Sequence, residues 1–323
     1  MLRASLLSLF VLFFAVSPLS AGAQSLATSD PVTIRLSPEY PRPYEQVTIT
    51  VESSFLNVVT STITISANGA VIEEGSRNAT IKLGGPGTKT DISVSVSAAE
   101  GTYVSKKTIR PAELSLVVEP VSTSHAFYDG AQLVPSEGRL RLIALTDLRS
   151  APGTRIPNES ISYTWRLGDK VLLNDSGFGK NVLTATAPPR YRDAKISVTA
   201  ETRDASVVAY ATTVISPVDP IVRIYPKDPL RGVSFSTATA DALSLGGAEA
   251  TFRAIPYFFA VSPAISWSLN GEVSGAAPDI TVRSSGGAGT AALSVTAQDA
   301  EASATDSAAL KFTSTTKSGI LGF

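Results

Sequence analysis

The sequence predicts an all-β protein of three tandem antiparallel β-sandwich domains in an elongated array, and two observations lead to this prediction. The first is a strand-turn signature that occurs at residues 63–69, 163–169 and 265–271, with copies about a hundred residues apart. Each copy alternates apolar and polar residues, places its bulkiest apolar group third and ends in a two-residue turn. This period is too long for a solenoid repeat and fits a whole small domain.

The second observation is an alternation of apolar and polar residues with a period of two, which is typical of a sheet with one buried and one solvated face. In the first domain Val47, Ile49 and Val51 point to one side, whereas Thr48 and Thr50 point to the other. The equivalent apolar positions of the other two domains are Leu140, Leu142, Ala250, Phe252 and Ala254. A later strand repeats the alternation in all three domains, with apolar positions Ile92, Val94, Val96, Ile196, Val198, Ala200, Leu293, Val295 and Ala297. No segment has a convincing helical stripe.

Proline-bearing segments separate the predicted domains. Pro111 follows the predicted last strand of the first domain, and Pro217 and Pro220 follow that of the second. Because proline has no N–H to donate to a sheet ladder, each strand should end there, and such short linkers are semi-rigid and favour a rod. The predicted divisions are a signal peptide (1–23), β-sandwich 1 (24–112), β-sandwich 2 (113–217), β-sandwich 3 (218–312) and a flexible tail (313–323).

The first 23 residues have the features of a secretory signal peptide. Arg3 gives a positive start, residues 6–16 are apolar, and residues 21–23 (Ala-Gly-Ala) form a small-x-small cleavage site. The alternative is a retained anchor, but this apolar run is shorter than the roughly 20 residues that cross a bilayer as a helix. We therefore expect an exported mature chain without a membrane span, located outside the cell, at the cell surface or in the periplasm.

Composition narrows the classes of function. The chain has no cysteine, so it has no thiolate metal ligands, and each domain must be held together by its hydrophobic core without disulfides. Together with the leader, this favours a bacterial envelope over a eukaryotic secretory origin. The formal net charge is −1 and no stretch is strongly basic, which argues against nucleic acid as a partner.

The third position of the repeated signature, occupied by Ile65, Trp165 and Trp267, is predicted to lie in the core of each domain. Residues 165–169 (Trp-Arg-Leu-Gly-Asp) resemble the Trp-x-x-Gly-Asp signature of bacterial PKD-type modules, and of Ig-like β-sandwiches more broadly. The match is partial around Trp267 and weak around Ile65. The whole chain resembles exported bacterial proteins with tandem Ig-like or PKD-like modules, which implies a surface or envelope role and identifies no catalytic residue.

The sequence offers few groups for catalysis or metal binding. His125 is the sole histidine and lies in a predicted polar loop, residues 122–128, after the first strand of the second domain. We therefore expect no nucleophile–base pair, no ordinary zinc site and no cofactor. A calcium site at one pole of the second domain is an alternative to solvated loop carboxylates, and the side chains concerned are Asp129, Asp147, Asp169, Asp175 and Asp193.

One segment departs from the alternation, because Tyr257, Phe258 and Phe259 are three adjacent aromatic residues. On a strand they cannot all face inward, since successive side chains point to opposite faces. Either a neighbouring module or loop covers the second face, which we favour, or an aromatic patch is exposed and binds a partner.

The sequence as a whole predicts a non-catalytic structural, spacer or adhesive protein of a bacterial cell surface or secreted assembly. Its partners would be a cell-surface protein or a polysaccharide. The alternative is a carbohydrate- or protein-binding module that acts through the aromatic residues of the third domain.

Overall fold

The computed structural model describes residues 30–246, 249–284 and 287–313. The predicted signal peptide and the predicted tail after residue 313 lie outside the described residues. Within these ranges the chain forms strands, loops and two single-turn 3-10 helices, so the all-β prediction is confirmed. None of the helices in the described part is long and apolar enough to cross a membrane.

Module 1 is a sandwich of two antiparallel sheets with strand orders β1-β2-β5 and β4-β3-β6-β7. Its strands are β1 (Thr33–Ser37), β2 (Gln46–Glu52), β3 (Thr62–Ala67), β4 (Ala70–Glu74), β5 (Asn78–Lys82), β6 (Thr90–Ala98) and β7 (Gly101–Ile109). The apolar sides of β2 and β6 face each other across the core, as the alternation predicts.

Module 2 follows the same plan, with sheets β15-β9-β8 and β13-β12-β16-β17 and with β14 paired to β12. A separate hairpin, β10–β11, projects from the end of β9. The strands are β8 (Glu113–Pro120), β9 (Arg139–Asp147), β10 (Arg149–Ala151), β11 (Thr154–Arg155), β12 (Ile161–Leu167), β13 (Lys170–Val171), β14 (Gly177–Phe178), β15 (Val182–Thr186), β16 (Ala194–Thr202) and β17 (Val208–Ile215). The two 3-10 helices are Asn158–Ser160 and Leu173–Asp175.

Module 3 contains the sheets β19-β18-β21-β24 and β20-β26-β25-β22-β23. Its strands are β18 (Ile221–Asp228), β19 (Gly232–Val233), β20 (Ala242–Leu245), β21 (Glu249–Tyr257), β22 (Ala264–Leu269), β23 (Glu272–Gly275), β24 (Asp279–Arg283), β25 (Gly289–Gln298) and β26 (Ser303–Phe312). Short β20 runs parallel to β26, whereas the other strand pairs of this module are antiparallel.

The repeated signature has the same structural role in each module. Its third residue lies on β3, β12 or β22 and pairs with the middle apolar residue of the next long strand, in the pairs Ile65–Val94, Trp165–Val198 and Trp267–Val295. All six side chains are fully buried. The indole N–H of Trp165 donates to the carbonyl of Lys180, and that of Trp267 to the carbonyl of Ala277, both at 2.8 Å. The apolar ring is thus buried without leaving its polar atom unpaired.

The turn that ends the signature also follows from its residues. Asn68 and Gly69 both have positive φ, 49° and 84°, and Asn270 and Gly271 have nearly the same values, 53° and 88°. Two successive positive φ angles define the tight hairpin turn whose twist matches that of the flanking strands, and Asn-Gly adopts it most readily. The hairpins β3–β4 and β22–β23 follow directly.

A partly buried charge cluster joins three strands of module 3. Asp279 on β24 accepts hydrogen bonds from Nε and Nη2 of Arg253 at 2.6 and 2.9 Å, and from Nζ of Lys227 at 2.6 Å. Burial by itself would raise the pKa of Asp279, but the hydrogen bonds and positive charges of Arg253 and Lys227 outweigh it and lower the pKa.

The first prediction concerns the core. Trp165→Ala should destabilise module 2 by about 3–5 kcal/mol, because it removes a fully buried ring and leaves a cavity. Module 1 should keep its own transition in differential scanning calorimetry, whereas module 3 should melt at a lower temperature, because the loop of module 2 that covers it loses its support. Tyr191→Ala is the control, since that ring is 89% exposed and its loss should change stability by less than about 0.5 kcal/mol. Identical melting of Trp165→Ala and the parent chain would contradict the core assignment.

The second prediction concerns pH. Because the pKa of Asp279 is lower in the folded state, its stabilisation is complete above the ordinary aspartate pKa of about 3.9 and is lost as the pH falls through the folded-state value. Asp279→Asn should therefore lower the melting temperature of module 3 at neutral pH and flatten its decline below pH about 4. Glu249→Gln, in an exposed pair with Arg283, is the control and should leave that decline unchanged.

Candidate functional site: the joints between the modules

The loop that follows β8 in module 2 covers part of module 3. We call this contact the aromatic joint. Its buried members are Tyr225, Ile255, Tyr257 and Phe258 of module 3, and the partly buried side chains packed against them are Phe127, Tyr128, Val218, Val233, Phe235 and Ala238. Tyr225 and Ile255 lie on the outer face of β18 and β21, since the preceding residues Ile224 and Ala254 point into the sandwich, and Tyr257 shares the face of Ile255.

Reciprocal hydrogen bonds at Thr123 fasten this loop to module 3. The N–H of Thr123 donates to the carbonyl of Phe259 at 2.8 Å, and the N–H of Phe258 donates to the carbonyl of Thr123 at 2.7 Å. The hydroxyl of Thr123 also accepts from the N–H of Phe259 at 3.0 Å. Three bonds to one residue hold the end of β21 as a neighbouring strand would.

The structure buries all three adjacent aromatic residues by ending the strand among them. Tyr257 is the last residue of β21 and faces the loop. Phe258 has a φ of 60°, which turns the chain so that Phe259 enters the core of module 3, where it is fully buried. An exposed aromatic patch is therefore not supported by this arrangement, and a loop of the neighbouring module covers the second face.

Ring contacts and one phenol pair complete the aromatic joint. Phe127 stacks on Phe235 with ring centroids 3.6 Å apart, and Tyr128 meets Tyr257 and Phe258 edge-on at 5.7 and 5.6 Å. The hydroxyls of Tyr225 and Tyr257 are 2.9 Å apart. Burial, followed by this hydrogen bond, raises the pKa of Tyr257, so the phenol stays neutral.

His125 lies in the same joint and has an aromatic environment. Its ring centroid is 4.3 Å from that of Phe127 and 5.1 Å from that of Phe235. Its Nδ1 atom is buried and has no hydrogen-bond partner among the described residues, like the hydroxyls of Ser122 and Thr239. No nucleophile or acid is hydrogen-bonded to His125 in the described part of the chain, so the arrangement does not form a nucleophile–base pair.

A second joint connects modules 1 and 2. Tyr40 stacks on Tyr210 of β17, with ring centroids 5.5 Å apart and planes inclined by 28°. Gly87, in the glycine-rich loop between β5 and β6, has a φ of 78° and lies against the β10–β11 hairpin. A Cβ atom at Gly87 would be 2.6 Å from the carbonyl oxygen of Ala151 and 2.8 Å from Cβ of Arg149. Any other residue at position 87 would force the loop and the hairpin apart.

The aspartates of module 2 do not assemble into a metal site in the described residues. No group of three or more histidine, cysteine, aspartate or glutamate side chains there could hold a metal ion. Asp147 instead accepts two hydrogen bonds of 2.9 Å from Arg149, which lower its pKa against the opposing effect of burial.

Sequence reasoning identified one half of the aromatic joint and missed the other. Tyr257, Phe258 and Phe259 stood out as an aromatic run, whereas the loop containing Phe127 and Tyr128 was interpreted as polar. The available signal was the adjacent aromatic pair at the end of that loop. Two large rings in an otherwise polar segment indicate that another surface buries them. Tyr225 and Phe235 gave no comparable signal.

No family model matches the chain, and no curated protein matches it. The three N-terminal domains of the Highly Immunogenic Outer Capsid protein of bacteriophage RB49 align over 88% of this chain and 98% of their own, with 12% identity and a TM-score of 0.27. Fibronectin(III)-like modules of Clostridium thermocellum CbhA align over 62% and 94%, with 12% identity and a TM-score of 0.23.

The four N-terminal Ig domains of Dscam1 isoform 8.4 align over 87% of this chain and 73% of their own, with 13% identity and a TM-score of 0.24. At such low scores these likenesses carry no argument about function or about the arrangement of the modules.

The third prediction concerns the Thr123 contact. Thr123→Val keeps the side-chain shape but removes the acceptor for the N–H of Phe259, so we expect a loss of about 1 kcal/mol from the unfolding free energy of module 3. The measurement is denaturant unfolding followed by fluorescence in a Trp165→Phe background, where Trp267 is the remaining tryptophan. Thr305→Val is the control, because its hydroxyl pairs with that of Thr296 at an exposed position. Equal effects of the two substitutions would show that the hydrogen bond between Thr123 and Phe259 does not stabilise module 3.

The fourth prediction concerns the joint between modules 1 and 2. Gly87→Ala should shift module 1 relative to module 2, because its Cβ atom would overlap the carbonyl of Ala151. Gly153→Ala is a matched control, since Gly153 has a φ of 80° but no atom lies within 4 Å of the position that its Cβ would take.

Both substitutions carry similar backbone strain and should lower stability, and Gly87→Ala should lower it further because of the overlap. Only Gly87→Ala should change the distance between spin labels at exposed positions 59 and 173. An unchanged distance in Gly87→Ala would exclude a close contact at this joint.

Proposed function

We propose that the protein is a non-catalytic, exported structural or adhesive component of a bacterial cell surface or secreted assembly, in which three Ig-like modules act as one semi-rigid spacer. The observation that carries the proposal is the aromatic joint. A loop of module 2 covers an apolar face of module 3 and exchanges backbone hydrogen bonds with it. If the two modules moved independently, this buried aromatic cluster would be exposed to water, which is unfavourable.

The connections between modules support a restricted geometry. Three residues separate β7 from β8, and five separate β17 from β18. These linkers contain Pro111, Pro217 and Pro220, which fix φ and stiffen the chain. A short, stiff linker combined with a buried contact on one side leaves few relative orientations for the two modules.

The leader supports export, and the absence of cysteine from the sequence fits modules held by their cores and by the joints. A spacer of this kind would hold its outermost module, or a surface along its length, at a set distance from the cell. Adhesion would then involve a cell-surface protein or a polysaccharide as partner.

The experiment tests rigidity across the aromatic joint. Because the sequence has no native cysteine, Leu173→Cys and Leu230→Cys place spin labels on modules 2 and 3 at positions that are 80% and 96% exposed. Double electron–electron resonance should give one narrow distance distribution. Adding Phe127→Ala should broaden it, because this removes a ring that stacks in the joint.

Phe55→Ala is the matched control, since that ring is 71% exposed on module 1 and should leave the distribution unchanged. A broad distribution in the parent chain would contradict the spacer proposal. So would a narrow one that Phe127→Ala leaves intact.

A further inference from the structure

A polar cleft lies at the contact between module 1 and module 2. One wall is the segment after β1, with Pro38, Glu39 and Tyr40, and the other is the outer face of the larger sheet of module 2. The cleft has a volume of about 630 Å³. Ligand sites usually enclose about 300–1,000 Å³ and occur often at domain interfaces, so the volume and position of this cleft are compatible with a binding site.

The floor of the cleft is built on paired strands. Thr199 on β16 lies beside Tyr210 on β17, and Ser197 lies beside Arg166 on β12. These side chains share the outer face, since their neighbours Trp165 and Val198 point into the core. A ladder of backbone hydrogen bonds fixes the spacing of such groups before any ligand arrives, which favours binding.

The cleft carries charges of both signs in equal number. Glu39 and Asp169 supply two carboxylates, and Arg166 and Lys195 supply two cations. Salt bridges elsewhere in the described residues do not involve these four side chains. Arg166 donates to the backbone carbonyl of Asp169 at 3.1 Å, which aims its guanidinium without neutralising it. The cleft therefore offers strong donors and strong acceptors together, with no net charge.

The stacked pair of Tyr40 and Tyr210 adds aromatic surface to the cleft. Burial, followed by the neighbouring Glu39, raises the pKa of Tyr40, so its phenol carries no charge at neutral pH. A tyrosine presents an apolar ring and a polar tip, and this combination suits a ligand that is itself apolar on one face and hydroxylated at its rim.

We propose that this cleft binds a neutral oligosaccharide. Sugar hydroxyls both donate and accept hydrogen bonds, so carboxylates and cations can engage the same ring, whose C–H face packs against a tyrosine. An anionic ligand would meet Glu39 and Asp169, and a cationic one would meet Arg166 and Lys195. A wholly apolar ligand would leave the four charged side chains without partners in the ligand, which is unfavourable. The proposal goes beyond the spacer function, because a rod of the same rigidity needs no such cleft.

The test measures binding of the full exported chain by isothermal titration calorimetry. The probes are soluble oligomers of glucose, mannose, galactose and N-acetylglucosamine, each offered up to millimolar concentration, with polygalacturonate as an anionic comparison. At least one neutral oligomer should bind. Lys195→Ala and Asp169→Ala should each weaken binding about tenfold, the loss expected for one charge-assisted hydrogen bond.

Lys311→Ala and Asp241→Ala on module 3 are the matched controls and should bind like the parent chain. Absence of binding to every neutral oligomer overturns the proposal. So does binding that the two cleft substitutions leave unchanged, or a preference for polygalacturonate that disappears at high salt. None of these outcomes bears on the rigidity of the aromatic joint, which the spin-label distances test separately.

Discussion

The arrangement of modules 2 and 3 depends on one constraint, the need to cover the outer face of β18 and β21. That face is polar at one end, where Arg253 and Lys227 bind Asp279, and apolar at the other, where Ile255 and Tyr257 lie. A solvated β-sandwich module that left the apolar end exposed would lose stability, since each large side chain that is buried contributes about 1.5–3 kcal/mol. The loop of module 2 is the cover, and the two modules therefore fold against each other.

Covering this face also buries polar atoms that lack hydrogen-bond partners, which lowers stability. Buried atoms of Ser122, His125 and Thr239 have no hydrogen-bond partner among the described residues. An unsatisfied buried group costs about 1–3 kcal/mol, which stacked and edge-on aromatic contacts must offset. The joint between modules 1 and 2 is built differently. Gly87 packs closely against the β10–β11 hairpin and Tyr40 stacks on Tyr210, and a polar cleft stays open beside these contacts. One joint thus buries an aromatic cluster between two modules, and the other leaves an accessible polar surface.

Much of the fold could be predicted from the sequence, because its signals are local. Alternation with a period of two marks the inward face of β2, β6, β16 and β25, and the Asn-Gly turns need only the φ preferences of two residues. The core positions of Trp165 and Trp267 follow from the repeat. Contacts between modules are not local. The bend at Phe258, and the pairing of Thr123 with Phe259 across 136 residues, depend on the fold of both modules. The cleft is equally hidden, since Tyr40 and Lys195 meet only after two modules are in place.

The central claim is that Thr123 and the loop around it hold the end of β21 as a strand would. Hydrogen exchange of the Phe258 and Phe259 amides tests this most directly, because both N–H groups donate to Thr123 and to no other residue. We predict protection of these two amides comparable to that of Phe252 in the middle of β21. Exchange at the rate of an open loop, with Phe252 still protected, would show that module 3 folds without its cover and would contradict the account.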